Sequence, residues 1–184
     1  MRLATDEHRR HDWWVHNYAK DFELLDLWQY PIESDRADDF ETFLEVHDMM
    51  EMVKDTSVAV RALFAVRLVL GKIFRWDGPP VDDGPTRAAG SIAGFDEVYR
   101  DDRELVLRTE NATVTALMHL GWVPLEGDGT GEKYTAQLAV YAISKGRVGR
   151  AYMALISPFR HGLVYPALMR AGRRRWLARP RTAA

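Results

Sequence analysis

The side chains best suited to chemistry are the six histidines of this 184-residue chain, because it has no cysteine to act as nucleophile or metal ligand. His119 stands inside an alternating apolar stretch, on an otherwise uncharged face. An imidazole titrates in the range that acid–base catalysis uses, so His119 is our candidate catalytic residue. The alternative is a structural histidine bonded to a neighbouring strand, since one histidine without a visible partner is weak support for catalysis.

The remaining histidines suggest less. His8, His11 and His16 lie close together among acidic residues, but their spacings of three and five do not place all three on one helical face. No HExxH pattern occurs, so we expect no metal. His47 lies on an apolar helix face and is predicted to be a hydrogen-bonded core residue. His161 could reach a cavity mouth or face water.

Several familiar chemistries are not expected from the motifs. There is no GxSxG elbow, so the sequence gives Ser–His–Asp catalysis no support. No GxGxxG follows a strand and no Walker loop occurs, so we expect no cofactor. The paired carboxylates fall at helix starts or turns, where capping and solvation explain them.

The first half of the chain predicts one strand and two helices. Residues 21–32 alternate as a strand, and residues 38–53 carry apolar positions at helical spacing. In that strand one face should carry Phe22, Leu24, Asp26, Trp28 and Tyr30. Residues 57–74 are predicted to form a helix that is apolar on nearly every side, which predicts burial or a homodimer interface. Residues 76–95, rich in glycine and proline, predict a long loop that could act as a lid.

The second half predicts strands and a long final helix. The strands are expected at residues 95–99, 104–110, 112–123, 133–144 and 147–156, joined by short turns as an antiparallel meander. The helix is expected at residues 157–176, with Ser157 as its N-cap and Pro158 at its first position. Pro166 should kink it, because its ring clashes with the carbonyl of Gly162.

This order predicts an α+β fold in which a curved antiparallel sheet wraps around a long C-terminal helix. The chain is expected to be a single domain over residues 1–184, with residues 1–20 as an irregular or edge segment. Two further helices follow the first strand.

Four stretches resemble the DUF2867 family: DFELLDLWQYP, RALFAVRLVLGKIFRWD, ENATVTALMHLGWV and GRAYMALISPFRHGLVYPALM. The resemblance covers nearly the whole chain and implies a helix-grip fold of the Bet v 1-like and START-like superfamily. It implies no catalytic residues, because the family has none established. Helix-grip proteins commonly hold a hydrophobic cavity between the concave sheet and the last helix.

Such a cavity would be lined from the sheet and the helix. Alternation in residues 112–123 puts Thr115, Leu117 and His119 on one face and Met118 and Leu120 on the other, and the spacing leaves open which face is concave. The predicted ligand-binding residues are Trp28, Thr115, Leu117, His119, Tyr141, Tyr152, Phe159 and Leu163.

Three functions remain as hypotheses. The first is a soluble binder or carrier of a small hydrophobic molecule, gated by the loop. The second is a cyclase-like or isomerase-like enzyme in the same cavity, with His119 as acid or base; a His119 ring fully bonded to structural groups would remove it.

The third is binding to an anionic membrane or nucleic acid through the arginine-rich end. Residues 145–184 hold ten Lys or Arg and no acidic residue. Acidic residues elsewhere and the lack of interleaved aromatics make nucleic acid an unexpected partner. The polar N-terminus, the lack of cysteine and the lack of a membrane-spanning stretch favour a cytoplasmic location.

Overall fold

The computed structural model describes residues 1–47, 91–92, 95–110, 113–125 and 132–180. Its elements in chain order are α1 (Thr5–His8), α2 (Val15–Tyr18), β1 (Glu23–Gln29), α3 (Phe40–Val46), β2 (Ser91–Ile92), β3 (Phe95–Arg100), β4 (Glu104–Glu110), β5 (Val114–Leu125), β6 (Lys133–Ser144), α4 (Gly146–Phe159), a π-helical turn (Arg160–Val164) and α5 (Tyr165–Ala178).

The strands form one curved antiparallel sheet in the order β1-β6-β5-β4-β3-β2. Strands β3 to β6 are the expected meander, and β1 joins it by pairing with β6. The predicted bounds of β4 and β6 are confirmed, and those of β3 and β5 are confirmed to within two residues. The α+β architecture, with a curved sheet and a long C-terminal helix, is therefore the one expected from the alternating apolar pattern.

The C-terminal helix begins earlier than predicted. Residues 147–156 are helical rather than a strand, and Ser157 and Pro158 lie inside α4 instead of starting a helix. The reason is Gly146, whose φ of 65° turns the chain out of β6 and directly into the helix. The apolar residues of this stretch also fit a helical period, so a period-two interpretation was wrong here.

The helix changes its hydrogen-bonding pattern where Pro166 was expected to disturb it. The π-helical turn ends immediately before α5, whose second residue is Pro166. Because Pro166 has no N–H to donate to the carbonyl of Gly162, a regular α-helical ladder is interrupted at this place. One wider turn lets α4, the π-helical turn and α5 continue as one helical segment.

A β-bulge in β1 overturns the predicted alternation of that strand. The register shifts between Leu24 and Asp26, so that Leu25 has no paired residue on β6. Leu24 consequently packs with Leu27 on one side of the sheet, whereas Asp26 and Trp28 face the C-terminal helix. A strict period of two had placed Leu24 and Asp26 together.

The two faces of the sheet are covered by different parts of the chain. We call the side that contacts α5 the helix face; its buried residues include Trp28, Leu120 and Trp122, packed against Met169 and Trp176.

We call the opposite side the N-terminal face, because residues 1–22 cover it. Its buried residues include Leu27, Leu117 and Ala139, packed against Trp13 and Val15. Residues 1–20 were expected to be irregular or an edge segment. Arg2 forms an isolated bridge with Trp28 on the edge strand β1, and α1 and α2 contribute to this second apolar layer.

Some predictions fall on residues outside the described ranges. The predicted helix at 57–74, with the predicted homodimer interface, lies there, as does most of the predicted loop at 76–95. The helix predicted at 38–53 is confirmed as α3, and its predicted C-terminal end also lies outside. Within the described ranges, no helix is both long and apolar enough to cross a bilayer.

Candidate functional site

A buried carboxylate lies between β1 and the C-terminal helix. Asp26 is fully buried and contacts Arg160, His161 and Tyr165, which together form the Asp26 cluster. Arg160 Nη2 lies 2.9 Å from Asp26 Oδ2, and the Tyr165 hydroxyl donates to the same oxygen at 3.1 Å. The Nε2 atom of His161 contacts Oδ1. A buried charge is tolerated when paired and hydrogen-bonded in this way.

Helical spacing brings these groups to the strand. Ser157, His161 and Tyr165 follow one another at four-residue intervals, so they lie along one stripe of the helix. The stripe continues into α5 with Met169 and Trp176, which pack on the helix face. Burial, with the neighbouring Asp26 charge, raises the pKa of the Tyr165 hydroxyl above its ordinary value, so the group stays a hydrogen-bond donor at neutral pH.

Two buried donors beside the cluster have no acceptor among the residues that the structure describes. They are the indole Nε1 of Trp28 and the Nε of Arg160. The Trp28 ring packs against Tyr165 with 5.2 Å between ring centroids, and Arg160 holds the carboxylate that Tyr165 also contacts. Buried donors nearly always find acceptors in folded proteins, so these two indicate a place where an acceptor from outside the described chain could bind.

A second polar cluster is buried under the N-terminal face. The Nε2 atom of His16 lies 2.8 Å from Nδ1 of His8, and Nε2 of His8 lies 3.0 Å from Nδ1 of His119. Nε2 of His119 lies 3.1 Å from Oε2 of Glu104, and the Tyr141 hydroxyl lies 3.2 Å from Nδ1 of His8. These five residues are called the histidine chain below.

The hydrogen bonds of the histidine chain all run in one direction. Glu104, as a carboxylate, only accepts; its Oε1 takes the backbone N–H of Trp14 at 2.7 Å. His119 must therefore donate from Nε2, which leaves its Nδ1 to accept from His8. By the same logic Nδ1 of His8 accepts from His16 and Tyr141.

The three rings of the histidine chain are neutral at physiological pH. Burial lowers the pKa of His8 to about 2, with further lowering by the neighbouring His119 and His16. Burial also lowers the pKa of His119, against a raising effect of Glu104, and burial lowers the pKa of His16.

This arrangement does not suit a metal. Each ring nitrogen inside the chain is used for a bond to its neighbour, so no set of lone pairs converges on a common point. Across the described ranges, no group of three or more histidine or carboxylate side chains is arranged to hold a metal ion. His11, predicted beside His8 and His16, instead packs its ring 5.4 Å from that of Trp13.

The match to a known family covers the Asp26 cluster and the strand residues of the histidine chain, while His8 and His16 precede it. The model of DUF2867, a protein family of unknown function, matches residues 18–167. The chain belongs to the DUF2867 family. No curated protein and no solved structure matches it. In this DUF2867 chain, therefore, function has to be argued from the two clusters themselves.

The predicted site residues of this DUF2867 chain fall into two groups on opposite sides of the sheet. Trp28, Phe159 and Leu163 lie with the C-terminal helix, Phe159 and Leu163 being 47% and 42% exposed. Thr115, Leu117, His119 and Tyr141 are buried on the strands, and the last three pack under the N-terminal segment. The side chain of Tyr152 lies outside what the structure describes.

His119 in this DUF2867 chain is held at both ring nitrogens. It is fully buried, and it faces His8 and Glu104 rather than the C-terminal helix. We therefore do not carry His119 forward as the acid or base of a site between sheet and helix. His47 has the structural role expected: its Nδ1 donates to the carbonyl of Phe43 at 2.8 Å, and burial lowers its pKa to about 4.

The two carboxylates on which the clusters of this DUF2867 chain depend, Asp26 and Glu104, were not predicted as site residues from the sequence. Asp26 is an acidic residue inside an apolar strand, and Glu104 opens one. An acidic side chain at an inward strand position was the available signal, since a buried carboxylate needs partners. For Asp26 this signal was present, because the predicted alternation placed it on the same face as Trp28 and Tyr30.

Proposed function

We propose that the protein binds a small, mainly apolar molecule carrying one hydrogen-bond acceptor, held between β1 and the C-terminal helix at the Asp26 cluster. The observation that carries the proposal is the pair of buried donors there that have no acceptor among the described residues, Trp28 Nε1 and Arg160 Nε. A carbonyl or similar oxygen on the ligand would accept from Trp28. The Trp28 ring, which packs against Tyr165, offers apolar contact beside that oxygen.

Packing at the other end of the helix supports this location. Under α5 the helix face is filled by the protein's own aromatic rings: Phe43, Trp122 and Trp176 have centroids 5.8 to 6.4 Å apart. Trp176 also donates its indole N–H to the carbonyl of Glu33 at 3.2 Å. These aromatic rings and the Trp176 indole N–H are already satisfied by contacts within the protein, so they need no ligand. We therefore expect the ligand at the other end of the helical segment, near the π-helical turn.

The lack of cysteine is compatible with a reducing compartment, and we propose the cytoplasm as the location of this binding. Binding through the arginine-rich end stays a hypothesis from the sequence, and one of its arginines, Arg179, is engaged within the molecule. Its guanidinium lies 3.3 Å from the centre of the Trp176 ring and donates to the Trp176 carbonyl.

A methyl ketone such as 2-undecanone tests the proposal, because it has one carbonyl and cannot be hydrolysed. We expect Trp28→Phe to weaken its binding about 5- to 30-fold, the worth of roughly one hydrogen bond in a buried site. Isothermal titration calorimetry measures the change, and gentle mass spectrometry of the purified wild-type protein looks for a molecule bound at the same site.

Trp13→Phe is the matched control, because Trp13 Nε1 is also buried without a partner in the described ranges, but under the N-terminal face. Its ketone affinity should stay within twofold of the wild type. No ketone binding by the wild type, or equal losses in both variants, would contradict a site at Trp28.

A further inference from the structure

A serine, a histidine and an aspartate lie in line at the Asp26 cluster. Nδ1 of His161 is 3.5 Å from Oγ of Ser157, and Nε2 of the same ring contacts Oδ1 of the buried Asp26. The serine and the histidine come from the helix, and the aspartate comes from β1. No GxSxG elbow builds this set, which is why the sequence motifs gave Ser–His–Asp chemistry no support.

The protonation pattern of the histidine follows from its neighbours. Arg160 Nη2 lies 2.9 Å from Oδ2 of the buried Asp26, and a carboxylate only accepts hydrogen bonds. In its neutral form, the His161 ring then carries its proton on Nε2, which leaves the lone pair on Nδ1 facing Ser157. A hydroxyl is activated when one nitrogen of a histidine ring can take its proton and a carboxylate orients the ring through the other nitrogen.

The position in the helix favours a role beyond packing. His161 lies in the π-helical turn, and single π turns inside α-helices occur frequently at functional sites. Ser157 and His161 are only partly buried, so a substrate can approach the hydroxyl. Within an ordinary helix, a serine hydroxyl donates to a backbone carbonyl of the preceding turn. Here a histidine nitrogen on the same stripe offers a different acceptor.

We infer that Ser157 is a nucleophile activated by His161 and positioned by Asp26, and that its substrate is a carboxylic ester of an apolar acyl chain. The substrate class rests on the proposed function, which supplies the apolar chain and the carbonyl. Arg160 Nε, a buried donor with no acceptor among the described residues, is the group available to the carbonyl oxygen as negative charge develops.

The reaction balances with ester and water alone. Ser157 Oγ forms a bond to the acyl carbon while its proton passes to Nδ1 of His161. The bond from the acyl carbon to the alcohol oxygen breaks, and the departing alkoxide takes that proton. Water then adds to the acyl-serine, gives a proton to Nδ1, and Ser157 leaves with it, so that acid and alcohol are the products.

An alkyl fluorophosphonate tests the nucleophile directly. Attack by Ser157 forms an O–P bond and expels fluoride, and peptide mass spectrometry locates the adduct. We expect labelling of the wild type at Ser157, none in Ser157→Ala, and labelling at least about 100-fold slower in His161→Ala. Free imidazole should restore part of the rate in His161→Ala, which a purely structural role of the ring would not allow.

Controls separate chemistry from folding. His11→Gln removes a partly exposed histidine on the opposite face and should label at the wild-type rate, and circular dichroism should show all variants folded. An unlabelled wild type, or an adduct formed equally in Ser157→Ala, would overturn the inference. Turnover of p-nitrophenyl decanoate by the wild type, lost in Ser157→Ala, is the expected second readout.

Failure of this inference can be told from failure of the proposed function. Ketone binding by Ser157→Ala at wild-type affinity, together with no labelling of the wild type, overturns only the nucleophile. Labelling of Ser157 with no ketone binding overturns only the proposed ligand site.

Discussion

At the scale of single residues, the histidine chain shows how one carboxylate can set the protons of several rings. Glu104 accepts from the Trp14 backbone and from His119, so His119, His8 and His16 each hold a defined tautomer. No ring in this series is doubly protonated, because burial opposes the charge. The histidine chain therefore links the N-terminal segment to the sheet through hydrogen bonds whose donors and acceptors are all defined.

Glu104→Gln should reverse the tautomers of all three rings. The amide oxygen keeps the Trp14 N–H, so the amide NH₂ must face Nε2 of His119, which turns from donor to acceptor. Nitrogen-15 spectra of the histidine rings would then show Nδ1–H in place of Nε2–H for His119 and His8. Unchanged tautomers would contradict the assigned direction.

The stability of two Glu104 variants should differ for the same reason. In Glu104→Gln the ring nitrogens of the reversed chain keep their partners, and the Tyr141 hydroxyl changes from donor to acceptor at Nδ1 of His8, so we expect a loss of about 1 kcal/mol. Glu104→Leu leaves buried donors without an acceptor and should cost about 1–3 kcal/mol in the free energy of unfolding. Glu97→Gln, at a surface pair with Arg100, is the control that should leave both stability and ring spectra unchanged.

At the scale of elements, the C-terminal helix has one stripe that meets the sheet and another that does not. Gly172 lies on the first, where an added Cβ would come within 2.6 Å of His47 Nε2 and 2.8 Å of Tyr30 Cε1. Gly162 lies in the π-helical turn with nothing within 4 Å of such an atom. Replacing each glycine by alanine therefore separates the effect of packing on stability from the effect of helix propensity.

Gly172→Ala should destabilise the protein by about 1–3 kcal/mol, because two buried rings would have to move. Gly162→Ala should instead stabilise it by up to about 1 kcal/mol, since alanine loses less backbone entropy in a helix. Urea denaturation of the two variants measures both values. Equal effects would contradict the close contact of α5 with α3 and β1.

At the scale of the whole molecule, the sheet is a partition between two polar clusters with different environments. The Asp26 cluster combines a buried carboxylate with Arg160 and opens toward partly exposed Ser157 and His161. The histidine chain is closed, and only its His16 end is partly exposed. We therefore expect ligand chemistry on the helix face and pH-dependent stability on the N-terminal face.

Acid should destabilise the fold through the histidine chain. Because burial holds the folded-state pKa of His8 at about 2, below its ordinary value of 6.5, the unfolded chain takes up that proton first as the pH falls. Stability is then full above about pH 6.5 and lost below it, by up to about 1.4 kcal/mol per pH unit for this one group. His119 and His16 add to the loss in the same direction.

The variant His8→Gln measures this contribution. Its free energy of unfolding, from urea titrations at pH 7.5, 6.0 and 5.0, should fall less steeply with acid than that of the wild type. His11→Gln removes a histidine that burial affects less, because its side chain is partly exposed, and should change the slope less. Parallel slopes for the wild type and His8→Gln would exclude His8 as the source.

Much of the architecture could be predicted because local periodicity reports local structure. The strands at β4 and β6 and the helix at α3 each bury one face, and apolar spacing records that directly. The stretch at 147–156 failed because its apolar residues fit two periods, and the positive φ of Gly146 decided between them. A serine taken as a helix cap consequently became an interior residue.

The sequence by itself determined most of the strands and helices, and it pointed to His119 as a side chain placed for chemistry while leaving the role of His161 open. Only the tertiary structure decided their partners, because Asp26 lies 135 positions from His161 and His8 lies 111 positions from His119. The tertiary structure also placed Trp28 and Tyr141 on opposite faces of the sheet. Strand alternation predicts two faces but does not show which part of the chain covers each one. Which face meets the helix depends on long-range packing, and no short-range pattern contains that information.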